Sequence, residues 1–339
     1  MIDLHLHLDG ALTLSDIKEL ANMQHISLPE DYESRVHVSS SCQSLNDFLE
    51  CFDIPTMVTQ TYSALKQLTF NVLKRAVQNG LVYVELRFAP QLQTERGMTQ
   101  EEAVQAVMDG MIQMRDQIDS SLILCYMRHS GNGHRNFETL RIAKKYLHNG
   151  VEAVDLAGAE GLYKTGNFAQ LFRVTREEGV PFTIHAGEAD DWTSVESAIS
   201  FGAKRIGHGV RALSNDMTAS YLASHMIPLE LCPTSEVQTH AVNSAQDFPL
   251  QAMIKRGLTL TVNTDDPGIS NIDLPHEYRF IRKEYGITRE QSLELMLNSV
   301  DCAFCSADVK KRVRRKILSG FETWYSMFVL HYGKLNSEE

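Results

Sequence analysis

Short apolar runs alternate along the whole chain with amphipathic stretches of helical length. Eight of these runs have the length and the bounding turn residues of buried strands. They are Ile2 to Leu8, Leu81 to Phe88, Leu122 to Met127, Val151 to Leu156, Val180 to His185, Arg205 to His208, Met226 to Cys232 and Leu258 to Thr264. Alternating strands and helices are typical of βαβ units with a parallel sheet, and eight units close a (β/α)₈ TIM barrel. An open doubly wound sheet is the alternative, but no G-x-G-x-x-G phosphate loop follows the first run.

Two of the intervening stretches carry clear helical signals. Thr99 to Ile118 has helical periodicity, and Thr288 to Val300 begins with Thr288 and Gln291 at the positions of a capping box. Such helices would form the outer ring of the barrel. We therefore predict an α/β fold with TIM-barrel architecture.

Other stretches lie outside the regular alternation. The connection from about Asn22 to Tyr62 is longer than one βα connection needs, which predicts an inserted helical segment over the barrel mouth. The residues from Leu274 onward predict extra C-terminal helices. Since no interdomain linker interrupts the sequence, we expect a single catalytic domain over residues 1–333 and a charged C-terminal tail over residues 334–339.

Composition narrows the class of protein. Hydrophobic residues make up 43% and charged residues 22% of the 339 residues, the balance of an ordinary soluble globular protein. The net charge of -11, from 43 acidic and 32 basic residues, argues against nucleic acid as a partner. Asp3 and His5 interrupt the opening apolar run, so neither a secretion signal nor a membrane partner is expected. The scattered cysteines, with Cys302 and Cys305 as the only CxxC, are typical of packed, reduced thiols in a cytoplasmic protein.

Polar side chains suited to metal binding or proton transfer follow four of the predicted strands. They are His5, His7 and Asp9 at the first strand, His185 and Glu188 at the fifth, His208 at the sixth, and Asp265 and Asp266 at the eighth. The C-terminal ends of barrel strands meet at one rim, so these residues converge although they are far apart in sequence. Taken singly, each has a simpler interpretation as a loop cap, a turn residue or a carboxylate at a helix N-terminus. Their coincidence at four strand ends favours a shared site.

A metal ion is the simplest ligand for this set of side chains. His5 and His7 are separated by one residue and therefore point to the same face of a strand. With His185 and one carboxylate from Asp265 or Asp266 they form a nitrogen-rich set that suits zinc, although iron, cobalt or nickel would also fit. The other carboxylate could take a proton from a water whose pKa the metal lowers. The fourth strand ends without a lysine to bridge a second metal, so we expect one ion.

Further groups complete the candidate site. Glu188 lies three residues beyond His185, where it can act as an acid on the substrate instead of binding the metal. His208 can add orientation and electrostatic stabilisation. Phe48 and Phe52 share one face of a predicted helix in the inserted segment, and their spacing alone favours a core role over a substrate gate.

Seven short motifs occur in a fixed order between residues 5 and 267. They are His-Leu-His-Leu-Asp-Gly at 5 to 10, Tyr-Val-Glu-Leu-Arg-Phe-Ala-Pro at 83 to 90, Asp-Leu-Ala-Gly at 155 to 158, His-Ala-Gly-Glu at 185 to 188, Arg-Ile-Gly-His-Gly at 205 to 209, Cys-Pro-Thr-Ser at 232 to 235 and Asn-Thr-Asp-Asp-Pro at 263 to 267. In this combination the sequence resembles the adenosine deaminase family, within the wider amidohydrolase group of metal-dependent barrels. The resemblance implies the same eight-stranded barrel.

The resemblance also implies a role for each candidate residue. The implied metal ligands are His5, His7, His185 and Asp265, with one Zn²⁺ per subunit. The implied catalytic residues are Glu188, as proton donor to purine N1, and the pair His208 and Asp266, which orients and deprotonates the water. The implied substrate contacts are His7, Asp9, Gly158, Asp266, Phe48 and Phe52, with Asp9 at a sugar hydroxyl, the Gly158 backbone at purine N3 and the two phenylalanines closing over the substrate. The assignment of Asp265 as ligand and Asp266 as base rests on the resemblance alone.

Two positions depart from the family pattern. The family usually continues Ala-Gly-Asp-Glu after the fourth strand, and here the third position is Ala159; Glu236 stands where many bacterial relatives have Asn. Neither change removes a metal ligand or a proton-transfer group, so both bear on which purine is bound.

The expected activity is zinc-dependent hydrolytic deamination of adenosine, and of 2'-deoxyadenosine, with a small purine nucleoside as partner. Adenine or a 5'-modified adenosine is the alternative substrate, but relatives specific for the free base usually carry Glu at the position of Asp9. A barrel that binds a nucleoside or a protein without catalysis is a further alternative. All seven metal-binding and proton-transfer positions are retained, which favours an enzyme. The sequence does not indicate an oligomeric state.

Overall fold

Eight parallel strands form the centre of the molecule. A computed structural model of the protein describes residues 1–129 and 133–332. The strands are β1 Ile2–His7, β2 Tyr83–Phe88, β3 Asp119–Met127, β4 Val151–Ala157, β5 Thr183–Ala186, β6 Arg205–His208, β7 Leu229–Leu231 and β8 Leu260–Val262. They pair in sequence order as two four-stranded parallel sheets, β1 to β4 and β5 to β8. All eight predicted strands are present.

Backbone bridges at two seams close these sheets into a barrel. At one seam Leu6 pairs with Asp265, where the backbone N–H of His7 donates to the carbonyl of Asp265 at 2.8 Å. At the other seam Val154 pairs with Phe182. The first strand thus meets the last and the fourth meets the fifth, which confirms the prediction of a (β/α)₈ TIM barrel.

Helices surround the strands and extend beyond them. The outer ring consists of α5 Tyr62–Gln78, α6 Gln100–Met114, α7 Gly133–Tyr146, α8 Ala169–Glu177, α9 Trp192–Phe201, α10 Asp216–Ser224, α12 Leu250–Lys255 and α14 Arg289–Cys302. The additional helices are α1 Leu14–Met23, α2 Tyr32–Val36, α3 Leu45–Leu49, α4 Asp53–Val58, α11 Pro233–Gln238, α13 Leu274–Tyr285 and α15 Ala307–Tyr332. Among the described residues, none of these helices combines the length and apolar composition that crossing a bilayer requires.

Local sequence signals explain most element ends. Thr288 and Gln291 form a reciprocal capping box at the start of α14, as predicted. Several predicted bounds are too long: α6 ends at Met114 instead of Ile118, because β3 already begins at Asp119 and a turn must intervene. The strands β5 and β7 begin after Pro181 and Pro228, since proline has no N–H to donate to a neighbouring strand.

Alternate residues of each strand face two different environments. On β1, Ile2 and Leu4 belong to the main hydrophobic cluster, which lies between the strands and the surrounding helices. On the opposite face, His5 Nδ1 lies 2.8 Å from Glu230 Oε2 of β7. The hydrophobic core therefore lies outside the barrel wall, and the barrel interior is polar.

The barrel interior contains paired charges in place of the aliphatic layers common in TIM barrels. Arg87 on β2 donates to Asp155 on β4 at 2.9 Å and to Glu230 on β7 at 2.8 Å. Arg205 on β6 donates to the same Glu230 at 2.5 Å and to Glu85 on β2 at 2.6 Å. All of these side chains are fully or almost fully buried. Because each guanidinium meets two carboxylates, their attraction offsets much of the cost of desolvation.

The predicted inserted segment lies at the barrel mouth and carries helices α2 to α4. It is attached through the β8–α13 connection, where the N–H of Val38 donates to the carbonyl of Ile269 at 3.1 Å. Phe48, Cys42 and Cys51 pack with Ile269 in a small separate hydrophobic cluster. Extra helices follow β8, as predicted, whereas the predicted tail over 334–339 lies outside the described residues.

Candidate active site

Four side chains from three strand ends converge at the mouth of the barrel. The Nε2 atom of His185 lies 3.0 Å from Nε2 of His5 and 3.1 Å from Nε2 of His7. Asp265 Oδ1 lies 3.2 Å from Nε2 of His5 and 3.5 Å from Nε2 of His7. All four residues are buried. The structure thus brings together the side chains that the sequence analysis assigned to a metal.

The spacing of these four atoms fits a metal ion. Three imidazole nitrogens this close cannot all be satisfied by hydrogen bonds to one another, because each bond needs one donor and one acceptor. Ligand atoms about 2.0–2.1 Å from a tetrahedral zinc ion would lie about 3.3 Å apart. The four observed atoms, with the distances of 3.0 to 3.5 Å given above, surround one common point. Three nitrogens and one carboxylate oxygen are a donor set that binds transition metals.

Buried carboxylates orient two of the three imidazoles from behind. His5 Nδ1 lies 2.8 Å from Glu230 Oε2, and His185 Nδ1 lies 2.8 Å from Asp155 Oδ2. A carboxylate at Nδ1 favours the tautomer whose Nε2 lone pair is free to bind a metal. His7 has a longer contact, with Nδ1 at 3.8 Å from Asp9 Oδ1.

One arginine connects these two carboxylates. The oxygens that accept from Arg87, Asp155 Oδ2 and Glu230 Oε2, are the same atoms that face His185 and His5. Arg87 also donates to the backbone carbonyl of Leu4 at 2.6 Å. A guanidinium therefore fixes two ligand imidazoles through one intermediate residue each.

The segment after β8 places two adjacent carboxylates differently. Asp265 has a φ of 64°, in the left-handed region, and Ser235 Oγ donates to its Oδ2 at 2.7 Å. Its other oxygen, Oδ1, is left to face His5 and His7. Asp266 is buried, and burial together with the neighbouring charge of Asp265 raises its pKa well above the usual range. A strained backbone at this point is consistent with a functional site.

His208 and Glu188 lie together beside the four convergent side chains. His208 Nε2 is 3.6 Å from Glu188 Oε2 and 4.0 Å from Asp265 Oδ2. Burial raises the pKa of Glu188 above its usual range, although the nearby imidazole of His208 opposes this shift. Burial alone would lower the pKa of His208, but the surrounding carboxylates, Glu188 foremost, outweigh burial and raise it to about 10. A raised carboxyl pKa favours the protonated form that a proton donor needs.

Gly10 allows Asp266 to approach the backbone after β1. A Cβ added at Gly10 would lie 1.8 Å from Asp266 Oδ1, so any side chain there must displace this carboxylate. We predict that Gly10→Ala lowers kcat of the metal-loaded enzyme by up to about 100-fold, because small displacements of reacting groups slow catalysis strongly. Steady-state kinetics and metal content together measure this effect.

Gly320→Ala is the matched control for that substitution. Gly320 lies within α15, and nothing lies within 4 Å of a Cβ added there. Its kcat should equal that of the unaltered protein, and its stability should rise slightly because alanine favours helix. Equal kcat values for Gly10→Ala and Gly320→Ala would contradict the role given to the close approach of Asp266.

Comparison with known proteins places this chain in a family. The family model described as Adenosine deaminase matches residues 1–319. An adenosine deaminase of Haemophilus ducreyi is 43% identical over 321 residues, which cover 92% of this chain and 93% of that protein. The chain belongs to the adenosine deaminase family. An adenosine deaminase of Clostridium botulinum is 34% identical over 93% of this chain and 97% of its own length. Among solved structures, an adenine deaminase from Arthrobacter aurescens matches with a TM-score of 0.86 and 25% identity, covering 95% of this chain and 98% of that chain.

Membership of the adenosine deaminase family confirms the resemblance found in the sequence.

The cavity above the four side chains has the size of a small-molecule site. Its volume is about 400 Å³, and its lining includes Asp9, Asp266 and Gly158. Phe48 and Phe52 also line it, with ring centroids 6.5 Å apart in an edge-to-face arrangement. Phe48 is therefore both a core residue of the inserted segment and a wall of the cavity.

The two departures from the adenosine deaminase family pattern occupy different places. Ala159 lies in the cavity wall, so the carboxylate that the family usually has there is missing from this cavity. Glu236 is fully buried behind His208, with Oε1 3.4 Å from His208 Nδ1. Only the first departure changes the surface that a substrate would meet.

Sequence reasoning missed several residues that support the site. Asp155 and Glu230 orient ligand imidazoles, Arg87 connects them, and Ser235 holds Asp265. Each lies in or beside an apolar strand run, and a charged residue within such a run is a signal that it faces a polar interior. Glu160, a buried loop residue, was missed as well.

Proposed function

We propose that this protein catalyses the metal-dependent hydrolytic deamination of adenosine and 2'-deoxyadenosine, which yields inosine or deoxyinosine and ammonia. The convergence of His5, His7, His185 and Asp265 beside Glu188 in one cavity carries this proposal. The family membership of the chain and its 43% identity to an adenosine deaminase support it.

The proposed cofactor is one Zn²⁺ ion per chain. His5, His7, His185 and Asp265 would hold it, since three imidazole nitrogens and one carboxylate oxygen suit zinc. When bound, zinc would supply Lewis acidity that makes water nucleophilic near neutral pH.

Two side chains beside this position would prepare the water. Asp266 is buried at the cavity, and its Oδ1 has no hydrogen-bond partner in the described residues, so its carboxylate is placed to accept a proton from water. The surrounding carboxylates raise the pKa of His208 to about 10, which favours its cationic form, and His208 presents Nε2 toward Glu188 and Asp265. A cationic imidazole there stabilises the negative charge that develops on the attacking oxygen.

Glu188 would act on the purine ring itself. As the oxygen attacks C6, Glu188 protonates N1, and the ring electrons move onto that nitrogen. The C6–N bond of the amino group then breaks, and the proton held by Asp266 leaves with the nitrogen as ammonia. The proton of the hydroxyl that remains on C6 passes to Glu188 as the C6 carbonyl forms. Glu188 is then protonated and Asp266 ionised again, and both protons of the water are accounted for.

The remaining contacts would select the nucleoside. We propose that Asp9, buried and aimed into the cavity with Oδ1 lacking a hydrogen-bond partner in the described residues, accepts from a sugar hydroxyl. The Gly158 backbone would meet purine N3, with His7 and Asp266 beside the substrate. Phe48 and Phe52 would cover the sugar and base. Because Asp9 would need a hydroxyl donor, adenine should be a poorer substrate than adenosine.

Metal removal and a substrate panel test the proposal together. A chelator should remove activity toward adenosine, and one equivalent of zinc should restore it, as followed by the ultraviolet change from adenosine to inosine. The panel contains adenosine, 2'-deoxyadenosine, adenine and 5'-deoxyadenosine. Faster deamination of adenine than of adenosine would contradict the nucleoside assignment. Activity that survives chelation with no bound metal would contradict the metal-dependent chemistry.

Two wider properties belong to the same proposal. We propose that residues 1–333 act as one catalytic unit, since a single main hydrophobic cluster runs from Met1 to Phe321. We propose a cytoplasmic location because all six cysteines are free thiols; Cys302 and Cys305 pack against the main hydrophobic cluster.

A further inference from the structure

Glu160 is a buried carboxylate that the proposed chemistry does not use. It follows β4 and is 0% exposed. Five donors surround it. They are the backbone N–H groups of Gly187 at 2.7 Å, Glu188 at 2.9 Å, Ala189 at 2.7 Å and Asp190 at 3.1 Å, and the Ser194 hydroxyl at 2.5 Å. Four of these five donors belong to the segment that carries the proton donor of the proposed function.

The segment over residues 187–190 has the geometry of an anion-binding turn. Successive backbone N–H groups point to one side, and Gly187 has a φ of 74°, in the left-handed region. A Cβ added at Gly187 would lie 2.7 Å from Val195 Cγ2, so a side chain is excluded there. Such concave N–H arrangements bind anions, and here the protein supplies its own anion in the carboxylate of Glu160.

The other side of the same segment is held by the loop that follows β6. Arg211 Nε donates to the carbonyl of Glu188 at 3.0 Å, and the N–H of Gly209 donates to the carbonyl of Ala186 at 3.1 Å. The carbonyl groups are therefore fixed by one neighbouring loop and the N–H groups by Glu160. The backbone of Glu188 is therefore hydrogen-bonded through both its N–H and its carbonyl.

Glu160 is itself held in its ionised form. Burial alone would raise the pKa of Glu160, but the nearby Arg128 guanidinium, the Ser194 hydroxyl and the backbone donors outweigh burial and lower it. Arg128 donates to Thr165 Oγ1 at 2.9 Å, and the Thr165 and Ser194 hydroxyls lie 2.6 Å apart. An ionised carboxylate is acceptor-only and can face all five donors, some of which share a lone pair, whereas a protonated one would direct its own O–H at a donor.

We propose that Glu160 is a positioning residue for Glu188, an inference that rests on the proposed function. It acts through the backbone of residues 187–190, which it fixes so that the Glu188 carboxyl points into the cavity. Glu160 lies outside the residues that line the cavity, so it makes no contact with substrate. Its effect on catalysis therefore passes through Glu188.

Glu160→Gln tests this role, because the amide keeps the size of the side chain but presents an NH₂ group to backbone donors. We expect kcat for adenosine to fall roughly 10- to 100-fold with little change in KM or in metal content. Glu160→Asp keeps the charge and shortens the reach by one methylene, and it should lower kcat less. The exposed Asp191, at the N-terminus of α9, gives the matched control Asp191→Asn, which should keep full kcat because asparagine also caps helices well.

Two measurements separate positioning of Glu188 from general loss of structure. In a Glu188→Gln background, Glu160→Gln should lower the residual kcat by less than about twofold, because residues that act as one unit are not additive. The inhibition constant of 1-deazaadenosine, which has C–H in place of N1, should be unchanged in Glu160→Gln. Inosine, whose N1–H can contact Glu188, should bind more weakly.

The outcomes distinguish this inference from the proposed function. Absence of deamination by the metal-loaded unaltered protein would contradict both. An active unaltered protein with full kcat in folded Glu160→Gln and Glu160→Asp would contradict the inference alone. If Glu160→Gln lowers kcat by the same factor in the unaltered protein and in the Glu188→Gln background, Glu160 acts independently of Glu188. That result would also overturn the inference.

Discussion

Glu188→Gln is expected to lower kcat for adenosine by about 10²- to 10⁴-fold, because glutamine cannot give a proton to purine N1. The side chain is buried, with its Oε2 3.6 Å from His208 Nε2, and burial raises its pKa, which favours the protonated form. The substitution conserves the size of the side chain. It also leaves the four proposed ligands untouched, so metal content should stay at one equivalent. Stopped-flow absorbance and metal analysis on the same sample measure both quantities.

A surface substitution of the same type provides the control for this result. Glu178 is exposed at the end of α8, and Glu178→Gln should keep the unaltered kcat. A Glu188→Gln protein with full metal content and near-normal kcat would exclude Glu188 as the proton donor. Loss of the metal together with activity would instead assign Glu188 to the metal site.

Arg87→Met is expected to destabilise the fold by about 3–5 kcal/mol, since it leaves the buried Asp155 without a guanidinium partner and Glu230 with Arg205 alone. The same two carboxylates face the Nδ1 atoms of His185 and His5 at 2.8 Å. Without the guanidinium they would become protonated or move, and metal affinity should fall roughly 10- to 100-fold. Urea unfolding and chelator competition with zinc measure the two effects.

Three further arginine substitutions separate the effect on stability from the effect on metal binding. Arg205→Met also breaks buried ion pairs and should destabilise the fold, but it leaves Asp155 paired with Arg87. Its metal affinity should therefore fall less than that of Arg87→Met. Arg87→Lys keeps the charge but loses the two-pronged contact, and it should fold with weaker metal binding. Arg115→Met, on an exposed side chain, is the neutral control. Unchanged metal affinity in Arg87→Lys would contradict the connection from Arg87 to the ligands.

The convergence of the proposed metal ligands was predictable because the signals are local. One residue separates His5 from His7, which puts both on one strand face, and the C-terminal ends of barrel strands share a rim. The order of apolar runs then placed His185 and the Asp265–Asp266 pair at the same rim, while the choice of Asp265 over Asp266 rested on the family resemblance. Strand lengths were less predictable, since pairing in β7 extends only over Leu229–Leu231.

The supporting residues were harder to predict because their partners are distant in sequence. Arg87 is 68 residues from Asp155 and 143 residues from Glu230, and Glu160 is 28 residues from Glu188. Nothing in a single sequence pairs such positions. Glu85 and Arg87 did carry one local signal, because they alternate with apolar residues in a strand and so must share one face.

The seam between β1 and the segment after β8 has a consequence for how the protein matures. His5 and His7 are made among the first residues, while Asp265 is made after all eight strands, and these residues meet only where the barrel closes. During synthesis the three imidazoles are therefore made before the carboxylate. The four side chains can come together only after residue 265 has been made and the barrel has closed. A polypeptide that ends before residue 265 would therefore lack the carboxylate of this cluster and the bridge that closes the barrel at this seam.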